Sequence, residues 1–175
     1  MEWLPEQSEF DVRYSNEEDL PDLMRWMQDP EVQRWYPISS QKNMEEMTKN
    51  WIGFSRFGAS LTATYKGDPI AIATLFLMPY KKTIHHCLIY FIVHPDYRGK
   101  GVGTAILRNI VHLGKTYFRL ERIHVEVYEG CPAIRLLKKE HFHEVARQER
   151  YIKEPNGQYL TRIIYEIESE KFNGK

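Results

Sequence analysis

Apolar residues recur along the chain at two spacings, the alternation typical of strands and the spacing of three to four residues typical of helices. Alternating or continuously apolar segments predict about seven strands, over residues 10–14, 60–65, 70–78, 83–93, 120–128, 143–151 and 159–167. Helical spacing predicts about four helices, over residues 15–29, 39–57, 105–117 and 132–140. No repeat or linker interrupts the pattern, so it predicts a single α+β domain over residues 1–175 with a mixed, mostly antiparallel sheet. The polar ends, residues 1–9 and 168–175, are expected to fray.

Local signals support several of these boundaries. Ser15 and Glu18 have the spacing of a capping box, in which both side chains bind unpaired N–H groups at the start of a helix. Asp29-Pro30 predicts the end of that helix, because the residue before a proline avoids the α region. Turn signals at residues 66–69 and 156–157 predict two hairpins.

Composition limits the classes of function. Lys plus Arg and Asp plus Glu each total 24 of the 175 residues, so no net charge draws the protein to nucleic acid or to an anionic membrane. No apolar run approaches the roughly 20 residues of a membrane span, and residues 1–9 lack a secretion signal, which favours a cytoplasmic location. Cys87 and Cys131 have no metal-ligand spacing with the histidines, so both are interpreted as free thiols and no metal is expected.

A glycine-rich stretch from Tyr97 to Thr104 connects an apolar strand to an apolar helix. Gly99, Gly101 and Gly103 remove side chains where a charged ligand would approach the main chain, and a helix start offers unpaired N–H groups and a positive dipole end. The combination predicts an anion site, most often for a phosphate. A tight connection between a strand and a helix also favours glycine, so the glycines alone leave that second interpretation open.

The residues around these glycines resemble a known family. Arg98-x-x-Gly101-x-Gly103, preceded by Val-His-Pro-Asp-Tyr at 93–97, is similar to the signature of the GNAT superfamily of N-acetyltransferases. Trp-Met-Gln-Asp-Pro-Glu-Val at 26–32 resembles a pattern of its Rim-type branch, which acetylates the N-termini of ribosomal proteins. The resemblance implies a GNAT-like fold whose central strands splay apart at a site for acetyl-CoA, the acetyl donor.

The resemblance also implies which residues bind acetyl-CoA. In the family, the pantetheine arm pairs with the main chain of the strand before the loop, and the pyrophosphate takes the loop amides. The corresponding positions of this sequence are Phe91, Ile92, Val93, Arg98, Gly99, Lys100, Gly101, Val102, Gly103, Thr104 and Cys131. Arg98 and Lys100 add side-chain cations for phosphate charge, although either could instead be a solvated surface charge.

A second segment, residues 126–142, resembles the family's later motif but departs from it at several positions. Leu137 stands where the family has the tyrosine that acts as general acid, and His141 stands for a glycine. The family's asparagine, which contacts the pantetheine arm, corresponds to Cys131 with a one-residue deletion or to Gly130 without one. Because leucine cannot donate a proton, the general acid lacks its usual residue.

Glu126 is the candidate general base. With the same one-residue gap it aligns with the glutamate base of Rim-type enzymes. A base is required because alkyl amines with a pKa of about 10 are protonated at neutral pH and attack only as free NH2. The alternation over residues 123–127 leaves His124, Glu126 and Tyr128 together on the other strand face, which makes Tyr128 the candidate acid. If that face is turned to solvent, Glu126 is an ordinary outward-facing strand residue.

Other residues are candidates for catalysis or for binding the acceptor. Further possible bases on the preceding strand are His85, His86 and Tyr90. In the family the acceptor side is built from the first two helices and the last hairpin, which here include Glu31 and the aromatic residues Trp26, Trp35, Tyr36, Trp51, Phe54, Tyr151 and Tyr159. Aromatic rings and scattered acids suit a cationic amine, yet core packing explains most of these residues equally well.

The sequence therefore predicts an acetyl-CoA-dependent N-acetyltransferase that transfers acetyl to a primary amine by direct attack. The acceptor is a small-molecule amine, an antibiotic or a peptide N-terminus. The alternative is a catalytically silent module that binds acyl-CoA as a sensor or interaction partner. A dinucleotide-binding fold is disfavoured, because the glycine spacing is not Gly-x-Gly-x-x-Gly and no βαβ unit precedes it. We expect a monomer or homodimer with neither a nucleic-acid nor a membrane partner.

Overall fold

The computed structural model describes residues 9–169, which form one seven-stranded sheet with helices on both faces. The strands are β1 (Phe10–Tyr14), β2 (Ser60–Tyr65), β3 (Asp68–Leu77), β4 (His86–Val93), β5 (Arg122–Tyr128), β6 (His143–Lys153) and β7 (Tyr159–Glu168). The helices are α1 (Leu20–Met27), α2 (Pro30–Gln33), α3 (Gln41–Gly53), α4 (Val102–Thr116) and α5 (Ala133–Lys139). The strand order is β1-β2-β3-β4-β5-β7-β6, and only β4 and β5 pair in parallel. The expected mixed, mostly antiparallel sheet is confirmed.

The helix that the sequence pattern missed is α2. Asp29-Pro30 ends α1 as expected, but it also starts α2: the Asp29 side chain accepts a hydrogen bond from the Glu31 N–H at 2.9 Å, and Pro30 occupies the first helical position. Proline suits that position because its missing N–H would have no helical partner there. The motif at residues 26–32 therefore forms a corner between two helices.

The predicted capping box is wrong by one residue. Asn16 is the cap and Asp19 its partner: Asn16 Oδ1 accepts from the Glu18 N–H at 2.9 Å, and Asp19 Oδ2 accepts from the Asn16 N–H at 3.0 Å. Ser15 is buried, and its hydroxyl lies 2.7 Å from that of Thr62 on β2. Ser15 thus bonds to the sheet and cannot cap the helix.

Three residues expected in the frayed ends, Glu9, Glu168 and Ser169, are held in place, and the Ser169 N–H donates to the Glu121 carbonyl at 2.8 Å. The carbonyl of Glu9 accepts from the Lys66 N–H at 2.8 Å, and Glu168 is the last residue of β7, opposite Arg122 on β5. The Arg122 guanidinium lies 2.9 Å from the Glu168 carboxylate. Residues 1–8 and 170–175, the rest of the ends expected to fray, lie outside the described residues.

The central strands splay apart, as expected. Pairing between β4 and β5 covers only residues 86–88 and 122–124, whereas β4 stays paired with β3 as far as Val93 and β5 stays paired with β7 as far as Tyr128. β4 stays paired with β3 and β5 stays paired with β7 while β4 and β5 diverge from each other. A gap therefore opens between residues 89–93 and 125–128. The gap lies where β4 leads into the glycine loop.

Helices cover the sheet unequally. The buried face of α4, including Ile106 and Ile110, packs on one face of the central strands, and α1 and α3 cover the opposite face of β3 and β4 around Trp51. The same opposite face of β5 and β7 carries partly exposed polar side chains, Glu126 and Arg162 among them. Among residues 9–169, no helix is both long enough and apolar enough to cross a bilayer.

Candidate active site

The glycine loop turns sharply into α4. Gly99 and Gly101 have φ values of +70° and +83°, a left-handed conformation that residues with a side chain adopt at a cost, and Gly101 is the N-cap of α4. No side chain caps this helix start, so its first N–H groups point toward the loop without a capping partner. Gly103 serves packing: a Cβ there would lie 3.1 Å from the Leu136 side chain on α5.

The main chain of β4 faces the gap at alternate residues. The His94 N–H donates to the carbonyl of Ile70 near the start of β3, so even-numbered residues here bond to β3 and odd-numbered ones point the other way. The carbonyl of Phe91 accepts from the Tyr36 hydroxyl at 3.2 Å, and that of Val93 accepts from Arg98 Nε at 3.1 Å. The N–H groups of Phe91 and Val93 therefore also point into the gap.

A cavity of about 300 Å³ lies between α2, β4, the glycine loop and α5. Seven of the predicted cofactor-binding residues line it, namely Phe91, Ile92, Val93, Arg98, Gly99, Gly103 and Cys131. The other four, Lys100, Gly101, Val102 and Thr104, lie on the loop and the first turn of α4 without lining the cavity. Of the two alternatives for the family's asparagine, Cys131 lines the cavity and Gly130 does not.

The cavity also has a wall that the predicted cofactor site did not include. It is formed by Glu31, Val32, Trp35 and Tyr36 at α2 and by Pro132, Ala133 and Leu136 at α5. Trp35 and Tyr36 were expected on the acceptor side, whereas here they lie against the strand expected to bind the cofactor. The resemblance of residues 26–32 to the Rim-type pattern was the sequence feature that could have placed α2 at the site.

Glu126 and Tyr128 lie on β5, across the gap from β4, and neither of them lines the cavity. Ile123, Val125 and Val127 are buried in the core, which leaves His124, Glu126 and Tyr128 on the other face, as the alternation predicted. Glu126 is a quarter exposed, and its Oε1 accepts a hydrogen bond from Arg162 Nη1 on β7 at 2.9 Å. The carboxylate is therefore paired and partly shielded, which differs from a freely solvated strand residue.

Tyr90 and Tyr128 lie near Glu126, and both keep their phenol protons at physiological pH. Burial, and secondarily the negative charge of Glu126, raises the pKa of Tyr90 on β4 to about 12. Burial raises the pKa of Tyr128 well above its usual range, and Tyr90 and Tyr151 raise it further. Both phenols are neutral hydrogen-bond donors at physiological pH, so Tyr128 is better suited to donate a hydrogen bond than to give up its proton.

Leu137, at the family's tyrosine position on α5, cannot replace the tyrosine, and neither can its neighbour Leu136. Leu137 is fully buried and packs in the core, so its side chain points away from the cavity. Leu136 lines the cavity but carries no proton. Cys131 also lines the cavity, and burial raises the pKa of its thiol, which keeps it protonated.

The histidine candidates lie before the splay. His86 pairs with Arg122, and the rings of His85 and His86 are 5.0 Å apart, centre to centre. The His124 ring is 5.8 Å from that of His86, and burial, with the charge of His86, lowers the pKa of His124. Of the candidates on β4, Tyr90 lies nearest to Glu126 in the register. Leu88 and His124 are the last pair of β4 and β5, and Tyr90 and Glu126 each lie two residues beyond it.

Comparison with known proteins assigns the family. Residues 20–142, more than half of the chain, match the acetyltransferase (GNAT) family. The chain is 25% identical to human alpha/beta-tubulin-N-acetyltransferase 9 over an alignment of 149 positions, which covers 77% of this chain and 72% of that protein.

Solved structures agree at the level of the fold. Ribosomal-protein-alanine N-acetyltransferase from Brucella melitensis has a TM-score of 0.74 at 19% identity, covering 91% of this chain and 99% of that one. The protein yncA from Salmonella typhimurium, solved with its cofactor acetyl-CoA, also has a TM-score of 0.74, at 15% identity, covering 92% of this chain and 95% of that one. The match over residues 20–142 takes in the glycine loop, the splayed strands and Glu126, and the chain therefore belongs to the GNAT family of acetyltransferases.

Proposed function

We propose that the protein transfers the acetyl group of acetyl-CoA to a primary amine by direct attack. The observation that carries this proposal is the gap between β4 and β5: Phe91 and Val93 direct main-chain groups into it, and the Glu126 carboxylate lies on β5 beside it. A thioester held along β4 would have N–H donors at its carbonyl oxygen and a base on the side from which an amine approaches.

The donor site follows from the loop and the cavity. The N–H groups at the start of α4 and the Arg98 guanidinium suit the pyrophosphate, because aligned amides and a cation both stabilise phosphate charge. The pantetheine arm would run through the cavity past Cys131 and pair with β4. Its amides would compete with Arg98 Nε for the Val93 carbonyl, so Arg98 is proposed to turn from Val93 to phosphate when the donor binds.

In the proposed reaction Glu126 is the base and the CoA thiolate is the leaving group. The amine nitrogen attacks the thioester carbon, and the N–H of Phe91 hydrogen-bonds to the oxygen that gains negative charge. Glu126 accepts the proton that the nitrogen loses, directly or through a water. The C–S bond then breaks, the amide remains on the acceptor, and the CoA thiolate, which accepts a hydrogen bond from Tyr128, takes its proton from solvent.

The acceptor proposed first is a peptide N-terminus. One support is the tubulin N-acetyltransferase relative, and another is the ribosomal-protein-alanine N-acetyltransferase among the similar folds. A small amine such as a polyamine or an aminoglycoside is the competing acceptor class. Either class would reach Glu126 across the open face of β5 and β7.

The test is CoA release with acetyl-CoA and a panel of amines: peptides with N-terminal Met, Ala or Ser, spermidine and kanamycin. We expect turnover with at least one peptide, and we expect Glu126→Gln to lower kcat about 100-fold or more while leaving acetyl-CoA affinity unchanged. Full activity in Glu126→Gln would refute the base assignment.

A second candidate is a module that binds acyl-CoA without catalysis. Leu137 favours it, because no proton donor from α5 reaches the cavity. Tight acetyl-CoA binding by calorimetry, with no CoA release across the whole panel, would support this candidate and contradict the transferase proposal.

A further inference from the structure

Arg162 on β7 is held on three sides next to the proposed base. Its Nε donates to Oε1 of Gln148 on β6 at 2.7 Å, and its Nη2 donates to the same oxygen. Its guanidinium carbon lies 4.0 Å from the centre of the Tyr151 ring, within range of a cation–π interaction. Its Nη1 donates to Oε1 of Glu126 at 2.9 Å. One side chain thus links the last hairpin to the strand that carries the base.

The position of Arg162 is set by the pairing of β7 with both of its neighbouring strands. Arg162 is opposite Gln148 in the β6–β7 pairing and opposite Tyr128 in the β5–β7 pairing, so it reaches Glu126 diagonally, two residues along β5 on the same face. The Arg162 side chain is only 17% exposed, which shields the ion pair from solvent more than a surface pair is shielded. Among residues 9–169, Arg162 is the hydrogen-bond donor to the Glu126 carboxylate, and it binds one oxygen only. The second oxygen is left for a proton.

We infer that Arg162 is the positioning residue of the acetyl-transfer site, holding the Glu126 carboxylate in one orientation. The inference rests on the proposed role of Glu126 as base. Because the guanidinium binds Oε1 at 2.9 Å, the second oxygen of Glu126 would be held in position for the proton that the amine loses. Glu126 would return that proton to water after each turnover.

Arginine suits this position for a geometric reason. Its planar fork binds Gln148 through Nε and Nη2 while Nη1 remains directed at Glu126, and its flat face stacks on Tyr151. Lysine would carry the same charge without the fork or the stacking. The other titratable groups around Glu126 are Tyr90 on β4, His124 and Tyr128 on β5, and Tyr151 on β6. None of them is a permanent cation, so the charge beside the base comes from Arg162.

The primary test is a double-mutant cycle on kcat. With Glu126 present, Arg162→Gln should lower kcat by roughly tenfold or more. In the Glu126→Gln background the same change should have little further effect, because the group that Arg162 positions is gone.

The KM for acetyl-CoA, measured with the fastest amine of the panel, provides the second readout. In Arg162→Gln the loss of kcat should come with little change in the KM for acetyl-CoA, because a misplaced catalytic group can cost about 100-fold in rate. Arg162→Lys should also lower kcat, because lysine keeps the charge without the planar fork. Gln148→Leu should also lower kcat, since it frees Arg162 while leaving its charge in place.

Arg122→Leu is the matched control. Arg122 lies on the same sheet face and forms a similar ion pair, with Glu166 at 2.5 Å and Glu168 at 2.9 Å, but it does not bind Glu126. Its loss should leave kcat unchanged. A kcat in Arg162→Gln equal to that of wild type, or an equal loss from Arg162→Gln with and without Glu126, would overturn the inference. Unimpaired turnover in Glu126→Gln would instead overturn the base assignment, so the two failures are distinguishable.

Discussion

The Tyr36 hydroxyl donates a hydrogen bond to the main-chain carbonyl of Phe91 at 3.2 Å, across a separation of 55 residues. This bond ties the segment after α2 to the gap-facing side of β4, and both residues line the cavity. Burial raises the pKa of Tyr36 far above its usual range, so the hydroxyl keeps its proton and remains a donor throughout the physiological pH range.

Tyr36→Phe should remove this bond and leave the carbonyl of Phe91 without its donor. We expect the free energy of unfolding to fall by about 1 kcal/mol, the usual contribution of one such bond. Urea denaturation monitored by fluorescence measures it. Tyr117→Phe serves as control, because Tyr117 is mostly exposed and its hydroxyl should contribute little. Equal stability of wild type and Tyr36→Phe would mean that the bond contributes nothing.

Gly101→Glu should weaken acetyl-CoA binding. The change places a negative charge where the pyrophosphate is proposed to bind, so we expect the affinity to fall by at least about tenfold, or 1.4 kcal/mol. Isothermal titration calorimetry measures this loss.

Gly157→Glu is the matched control for that variant. Gly157 in the β6–β7 turn has a φ of +86°, close to the +83° of Gly101, and a Cβ at either position meets nothing within 4 Å. Both variants should therefore suffer a similar backbone strain of about 1 kcal/mol, while only Gly101→Glu loses affinity. Equal affinities in the two variants would contradict the proposed pyrophosphate site.

Leu137→Tyr should not restore a general acid, although it recreates the family's residue. Leu137 is fully buried in the core, so a larger side chain with a hydroxyl overpacks it, at a cost of about 1–3 kcal/mol. We expect a lower melting temperature and no gain in kcat. Leu136→Tyr, at the position that lines the cavity, is the comparison. A higher kcat in Leu137→Tyr would mean that α5 turns this position toward the thioester.

Asp19 should make folding stability depend on pH in the acid range. Burial alone would raise its pKa, but hydrogen bonds from Arg13, the Asn16 N–H and Thr62 outweigh burial and hold the pKa below its usual value. A lowered pKa in the folded state means stability that is present above the unfolded-state value of about 3.9 and lost as pH falls through the folded value. The stability difference between wild type and Asp19→Asn should therefore shrink below about pH 4, and a difference constant from pH 2 to pH 7 would refute this.

Local sequence signals predicted the parts of the fold that depend on neighbouring residues. The glycine loop could be predicted because its spacing follows from backbone conformation and helix-end chemistry within eight residues. The faces of β5 could be predicted because alternation is a local property of a strand. The capping box was misassigned because the partner of Ser15, Thr62, is 47 residues away and cannot be deduced from the spacing around Ser15.

The same reason explains what was missed at the site. The bond between Arg162 and Glu126 spans 36 residues, and no motif in the sequence relates those two positions. Tyr36 was grouped with the acceptor side because its aromatic ring gave no information about which strand it would contact. The orientation of Leu137 depends on how α5 packs against the core, which the spacing of the family motif does not determine.

The divergence of β4 and β5 leaves the sheet incomplete at its centre, where a neighbouring strand would otherwise supply hydrogen bonds. A ligand that pairs with Phe91 and Val93 completes the sheet in the manner of an added strand, so part of its binding free energy becomes resistance to unfolding. The melting temperature should then rise with acetyl-CoA concentration, by an amount equivalent to about 2.7 kcal/mol at one hundred times the dissociation constant. The melting temperature of the protein would therefore report the concentration of acetyl-CoA around it.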